Sequence, residues 1–80
     1  MLIPTKHEKL KNNILVVGAD VLKVLQRGEY AVEDLYQIVK ANDKDISLDL
    51  FLDSIIFLWL CEFLSVQDNT VELLPKKTDN

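Results

Sequence analysis

The amino-acid sequence predicts a mainly helical domain in which three α-helices are followed by a C-terminal β-hairpin. Two observations carry this prediction. Apolar residues recur at three- and four-residue spacing in three separate segments, which is typical of amphipathic helices. After Leu64 the apolar period changes to two, as in strands, and the turn-forming pair Asp68-Asn69 interrupts the pattern.

The first helix is predicted from Ile14 to Gln26, with either Asn12 or Asn13 as its N-cap. Its apolar stripe consists of Ile14, Val17, Gly18, Val21, Leu22 and Leu25. Gly28 follows the last periodic residue and is expected to end the helix in a left-handed conformation, because side chains disfavour that conformation.

The second helix is predicted from Val32 to Ala41. Its buried stripe consists of Val32, Leu35, Tyr36 and Val39. Ala31 stands where a Ser, Thr or Asp would cap the helix better, so the sequence predicts a weak start.

The third helix is predicted from the N-cap Ser47 to about Leu64 and is apolar on most sides. Its expected buried face consists of Leu48, Leu52, Ile55, Trp59 and Phe63. A second line along the helix begins acidic and becomes apolar: Asp49, Asp53, Phe57, Leu60 and Leu64. Two explanations fit the large number of apolar residues in this helix. Either the helix is central and covered on several sides, or Phe57 and Leu60, with Val16 and Ala19 of the first helix, form an exposed patch that binds a partner.

A turn at Asp68-Asn69 also predicts the hairpin register. Gln67 should lie opposite Thr70, Val66 opposite Val71, and Leu64 opposite Leu73. Three helices and a hairpin in this order are typical of a winged helix-turn-helix. We expect one such domain over 1–80, with an extended arm at 1–12, a globular core at 13–74 and a flexible tail at 75–80.

Composition and charge disfavour several classes of function. The 80 residues carry 13 acidic and 9 basic side chains, a net charge of −4, which argues against a protein built to bind phosphates. The third helix contains neither Lys nor Arg, so DNA binding by a winged-helix regulator remains an alternative that rests on fold analogy. One cysteine, no signal-peptide pattern and no membrane-length apolar run favour the cytoplasm and disfavour membrane insertion.

No residue set in the chain has the pattern of a catalytic or metal site. His7 and Cys61 are the only candidate soft ligands and are far apart in sequence, and Cys61 is expected to be a buried core residue. Asp49 and Asp53 are expected on a solvated surface. We therefore expect no enzyme activity, no cofactor and no metal.

Three stretches of the sequence resemble one known family. They are Leu2-Ile3-Pro4-Thr5-Lys6-His7, Val17-Gly18-Ala19, and Ser47-Leu48-Asp49 with Phe51 and Leu58-Trp59. The family is the small middle component (family six) of bacterial ABC-ATPase three-component conflict systems, which are similar to Lamassu-type systems. This resemblance implies a winged-helix adaptor without enzyme activity. Its implied partners are an SMC/Rad50-like ABC ATPase and a nuclease-like effector, in an anti-phage or anti-plasmid complex.

The N-terminal arm is a second candidate for partner binding. It consists of Leu2, Ile3, Pro4, Thr5, Lys6 and His7. Because Pro4 fixes an extended backbone, the arm is suited to add to a partner's sheet or to lie in its groove. The alternative is that Leu2 and Ile3 pack on the protein's own helices. We favour the interface, since Lys6 and His7 are costly to bury in so small a core.

Overall fold

Three helices and a three-stranded antiparallel sheet make up residues 13–42 and 45–75, which are the residues that this computed structural model describes. The elements in chain order are α1 (Ile14–Leu25), β1 (Tyr30–Ala31), α2 (Val32–Asn42), α3 (Leu48–Leu60), β2 (Leu64–Gln67) and β3 (Thr70–Leu73). The predicted fold class is confirmed, because three helices precede an antiparallel strand pair in a winged-helix arrangement.

Helix α1 follows the sequence prediction closely. Asn13 is its N-cap, and the Oδ1 atom of this residue accepts a hydrogen bond from the backbone N–H of Leu15 at 2.6 Å. The predicted stripe faces the core, and Val24 joins it. Gly28 has a φ of +146°, a backbone conformation that residues with a side chain rarely adopt, so it ends the helical segment as expected, although outside the left-handed helical region.

The sheet contains one strand that the sequence prediction misses. β1 pairs with β3, with Tyr30 opposite Val71 and Ala31 opposite Thr70, which gives the strand order β1-β3-β2. The same contact explains how α2 begins without a capping side chain at Ala31. The backbone N–H of Val32 donates to the carbonyl of Asn69, in the hairpin turn, at 2.9 Å. A distant turn therefore satisfies one of the four backbone donors that the start of a helix leaves without an intrahelical partner.

Helix α3 begins as predicted but ends earlier. The Oγ atom of Ser47 accepts from the N–H of Leu50 at 3.1 Å. The helix stops at Leu60, not near Leu64, because Glu62 adopts a left-handed backbone with φ of 66°. The N–H of Glu62 then donates to the carbonyl of Trp59, and the N–H of Phe63 to that of Leu58, both at 2.9 Å. This is the Schellman arrangement, here with Glu at a position that Gly usually occupies.

The buried face of α3 differs from the predicted one. Phe51, Ser54, Ile55 and Leu58 face the core. Of the five residues expected inside, only Ile55 is buried, whereas Leu48, Leu52, Trp59 and Phe63 are exposed. Because α3 is apolar on most sides, its hydrophobic periodicity does not determine which side of the helix faces the core.

The close approach of α1 explains the observed rotation of α3. The buried Ser54 side chain donates to the carbonyl of Leu50 at 2.9 Å and also lies 3.5 Å from the carbonyl of Ile14. A Cβ atom on Gly18 would lie 3.6 Å from the side chain of Leu58. Small residues on both helices thus line the contact, and the larger Trp59 lies outside it.

The hairpin has the predicted register. Gln67 pairs with Thr70, Val66 with Val71, and Leu64 with Leu73. Asp68 and Asn69 have φ values of 51° and 64°, so both central residues of the two-residue turn are left-handed, as the twist of a hairpin favours. The core below the sheet consists of Val17, Val21, Val24, Leu25, Leu35, Val39, Ile46, Phe51, Ile55, Leu58, Leu64 and Val71.

Candidate protein-interaction surface

Six large apolar side chains of α3 point away from the core. We call this set the outer face of α3; it consists of Leu48, Leu52, Ile56, Phe57, Trp59 and Leu60. Trp59 is 53% exposed and Leu60 is 76% exposed. Single exposed apolar residues are ordinary on protein surfaces, but six on one helix of thirteen residues are characteristic of a binding surface.

The outer face is ordered along the helix. Leu48, Leu52, Ile56 and Leu60 follow one another at four-residue spacing, so they form a continuous ridge on the helix surface. We call these four residues the apolar ridge. The neighbouring row consists of Asp49, Asp53 and Phe57, which are also exposed. The outer face is therefore bordered by carboxylates near the start of α3 and is apolar across both rows toward its end.

The charge of this helix opposes nucleic-acid binding. In a winged helix-turn-helix, the third helix reads base edges with polar or basic side chains. Here α3 contains no Lys or Arg, and Asp49 and Asp53 are its charged residues. A phosphate backbone would repel both carboxylates, and the apolar ridge offers no hydrogen bond to a base edge.

The structure places two of the residues that the sequence predicted for partner binding. Phe57 and Leu60 both lie on the outer face, and Val16 of α1 is exposed as well. The predicted arm from Leu2 to His7 lies outside the described residues.

Sequence reasoning missed most of the outer face. Leu48, Leu52 and Trp59 were expected in the core, and Ile56 was not singled out. The four-residue repeat of Leu48, Leu52, Ile56 and Leu60 is visible in the sequence, but such a repeat fits a buried face as well as an exposed one, so it gives no signal of exposure.

Cys61 was expected in the core and is instead exposed. It follows the last residue of α3, at the corner where the chain turns toward β2. Its neighbours are Leu22 of α1, Phe63, and Leu73 and Leu74 at the base of the hairpin, which together line an open, mostly apolar groove. A thiol here is in contact with solvent, so core packing does not explain the residue.

Among residues 13–42 and 45–75, no three His, Cys, Asp or Glu side chains are grouped so that they could hold a metal ion. Nor does that part of the chain contain a helix with the length and hydropathy needed to cross a bilayer. What the described surface offers is an apolar helix face.

Comparison with known proteins identifies the family. The family model described as ABC-three component (ABC-3C) system Middle Component 6 matches residues 3–74. The chain belongs to this family. The match extends from Ile3 through the hairpin, so it includes α3 and all but Leu2 of the Leu2–His7 stretch on which the sequence resemblance partly rested. No curated protein and no solved structure matches the chain.

Proposed function

We propose that this chain is a non-catalytic adaptor subunit of its ABC three-component system. In this proposal it binds the SMC/Rad50-like ABC ATPase and the nuclease-like effector of the same system, in the cytoplasm, as part of a bacterial anti-phage or anti-plasmid complex. The observation that carries the proposal is the outer face of α3. Membership of a middle-component family supports it, because such a component works beside other subunits.

The energetics of the outer face favour a protein partner. Fully burying a Leu, Ile or Phe side chain contributes about 1.5–3 kcal/mol, and the outer face holds six large side chains that are only partly buried. Trp59 adds the residue type most enriched among binding hot spots. A domain this small also has a limited core of its own, so docking onto a larger subunit stabilises it further.

The arm from Leu2 to His7 is the second docking element in this proposal. Its apolar Leu2 and Ile3 and the fixed φ of Pro4 suit an extended segment that binds a sheet edge or groove. An adaptor needs two surfaces to join two subunits. We therefore assign the arm and the outer face of α3 to different contacts.

The direct test is copurification. A tagged chain is expressed with the other genes of its own system, and the stoichiometry of the recovered subunits is measured. We expect the ATPase or the effector to copurify with the wild-type chain. Recovery of the tagged chain as a lone monomer in mild salt, with both other subunits present and folded, contradicts the proposal.

Substitutions then locate the contact. Ile56→Glu with Leu60→Glu places two carboxylates on the outer face without touching a core residue, and we expect it to lower recovery of the partner at least 30-fold, as for a binding hot spot. Leu15→Glu is the matched control, because Leu15 is 64% exposed in the first turn of α1, where a carboxylate is favourable. Equal loss in both variants argues against a specific role for the outer face.

Deletion of residues 2–7 tests the arm. We expect the truncated domain to keep its melting temperature and to lose one of the two partner subunits. Melting of the isolated domain, or an unchanged complex, contradicts this assignment.

DNA binding is tested on the isolated protein. We expect a duplex titration at physiological salt to give only the weak, salt-sensitive binding that is typical of nonspecific contacts, or none. Submicromolar, sequence-selective binding would support the regulator alternative.

A further inference from the structure

We infer that the outer face of α3 binds an amphipathic α-helix of a partner subunit, and that this helix carries Lys or Arg along one edge of its apolar stripe. This inference rests on the proposed adaptor function and names the chemistry of the partner at that surface.

The shape of the apolar ridge fits a helix. Helices pack by inserting ridges of side chains, spaced four or three residues apart, into the grooves of a neighbouring helix. Leu48, Leu52, Ile56 and Leu60 make one such ridge, and all four are partly exposed. At about 1.5 Å per residue the ridge extends over roughly 18 Å, which matches three turns or more of a partner helix.

The charge beside the apolar ridge selects the partner's composition. Asp49 and Asp53 lie in the next row, one turn apart, and both are exposed. No Lys or Arg lies within α3 to pair with them. A helix that covers the apolar ridge brings one of its edges close to these carboxylates, in the way that flanking charges select partners in coiled coils. Basic residues on that edge are therefore complementary.

A second copy of the chain is a poor occupant of the same surface. In a symmetric antiparallel pair centred between Leu52 and Ile56, the two-fold axis places Asp53 of both copies on the same side of the contact. The carboxylates of Asp49 and Asp53 from both copies, four in all, then border the interface, and neither α3 contributes a Lys or Arg to offset them. A basic partner helix removes this repulsion, which is why we favour it.

Site-specific photocrosslinking tests the inference in the assembled complex. p-Benzoylphenylalanine is placed at Leu52 or at Ile56 of the tagged chain, and at Gln37, an exposed residue of α2, as the control. The chain is coexpressed with the other genes of its system, irradiated, and the crosslinked peptides are identified by mass spectrometry. We expect crosslinks from α3 only. The captured segment should have apolar residues at three- and four-residue spacing and Lys or Arg along one edge.

Charge substitution provides an independent readout. Asp49→Asn with Asp53→Asn should weaken the complex between roughly twofold and 30-fold at low salt, since each exposed ion pair contributes about 0.2–1 kcal/mol, and the difference should vanish in high salt. Asp34→Asn with Glu72→Gln is the matched control, because it removes the same charge from exposed positions outside α3. Equal weakening by both pairs overturns the inference.

The outcomes separate this inference from the adaptor proposal. If the complex forms but neither α3 position crosslinks, or if both capture an extended or acidic segment, the helix inference is wrong and the adaptor function stands. Crosslinks to a second copy of the chain also overturn the inference. If no subunit copurifies at all, the adaptor proposal fails and the inference fails with it.

Discussion

The rotation of α3 about its own axis can be measured by comparing two aromatic substitutions. Phe51 is fully buried, and its ring lies 5.0 Å from the ring of Tyr36, measured between centroids. Trp59, two turns further along and about a quarter turn around the helix, is 53% exposed. Phe51→Ala should therefore destabilise the domain far more than Trp59→Ala, although Trp is the larger residue.

The expected magnitudes follow from burial. Phe51→Ala removes a fully buried ring and leaves a cavity, which costs about 3–5 kcal/mol. Trp59→Ala removes a side chain that is about half exposed and leaves no closed cavity, so we expect a cost of about 1–2 kcal/mol. A domain of this length has a free energy of unfolding of roughly 4–12 kcal/mol. The first variant should be marginally folded and the second well folded.

Urea and thermal unfolding, followed by circular dichroism, measure both costs. At about 4–8 °C per kcal/mol, the two melting temperatures should differ by at least about 4 °C. Phe51→Leu serves as a milder variant if Phe51→Ala fails to fold. Trp59 is the only Trp in the chain, so fluorescence quenching by acrylamide reports its exposure directly in the wild-type protein. We expect efficient quenching before unfolding.

Two results would refute the placement of α3. One is a loss of stability in Trp59→Ala as large as in Phe51→Ala. The other is a Trp59 that acrylamide reaches only after the chain unfolds. Either would mean that the face containing Leu52 and Trp59 packs inside, and the outer face would then no longer be available to a partner.

Three further substitutions or modifications test local features. Gly18→Ala should keep or raise the melting temperature, because the added methyl group would lie at an ordinary 3.6 Å from Leu58 and Ala favours the helix by about 0.5–1 kcal/mol. A melting temperature lowered by more than a few degrees would show that α1 and α3 are closer than described. Asn69→Ala should lower the free energy of unfolding by about 1–3 kcal/mol, because it places Ala at a φ of 64° and removes the 2.6 Å hydrogen bond from Nδ2 to Glu33. Asn69→Gly removes the same hydrogen bond but keeps the turn conformation, so its loss of stability should be smaller. Equal losses in the two variants would exclude a contribution from the turn conformation. Cys61 should react with a maleimide in the native protein, and protection until denaturation would restore the buried assignment.

The sequence predicts well those features that local chemistry decides. The caps at Asn13 and Ser47 each satisfy a backbone donor within three residues, so they are recognisable without knowing the fold. The hairpin register follows from a two-residue turn and the period of two on either side of it. The resemblance to the middle-component family likewise rests on contiguous stretches, and the family match over residues 3–74 confirms it.

Of the candidate site, the sequence predicted Phe57 and Leu60 as partner-binding candidates, because a line that begins acidic is unlike a core stripe. It misassigned Leu48, Leu52 and Trp59. Their spacing is compatible with a buried face, and nothing within α3 alone distinguishes the two sides.

The tertiary structure decided what depends on distant residues. The strand β1 is too short to have a pattern and exists because β3 pairs with it forty residues later. The end of α3 depends on Glu62 taking a left-handed conformation where the chain must turn into β2. Above all, α1 packs against the side of α3 that contains Ser54 and Leu58, and this contact leaves Phe51 inside and Trp59 outside. The sequence of a helix that is apolar on most sides does not determine which side faces the core, because the neighbour that packs against the helix selects the buried side.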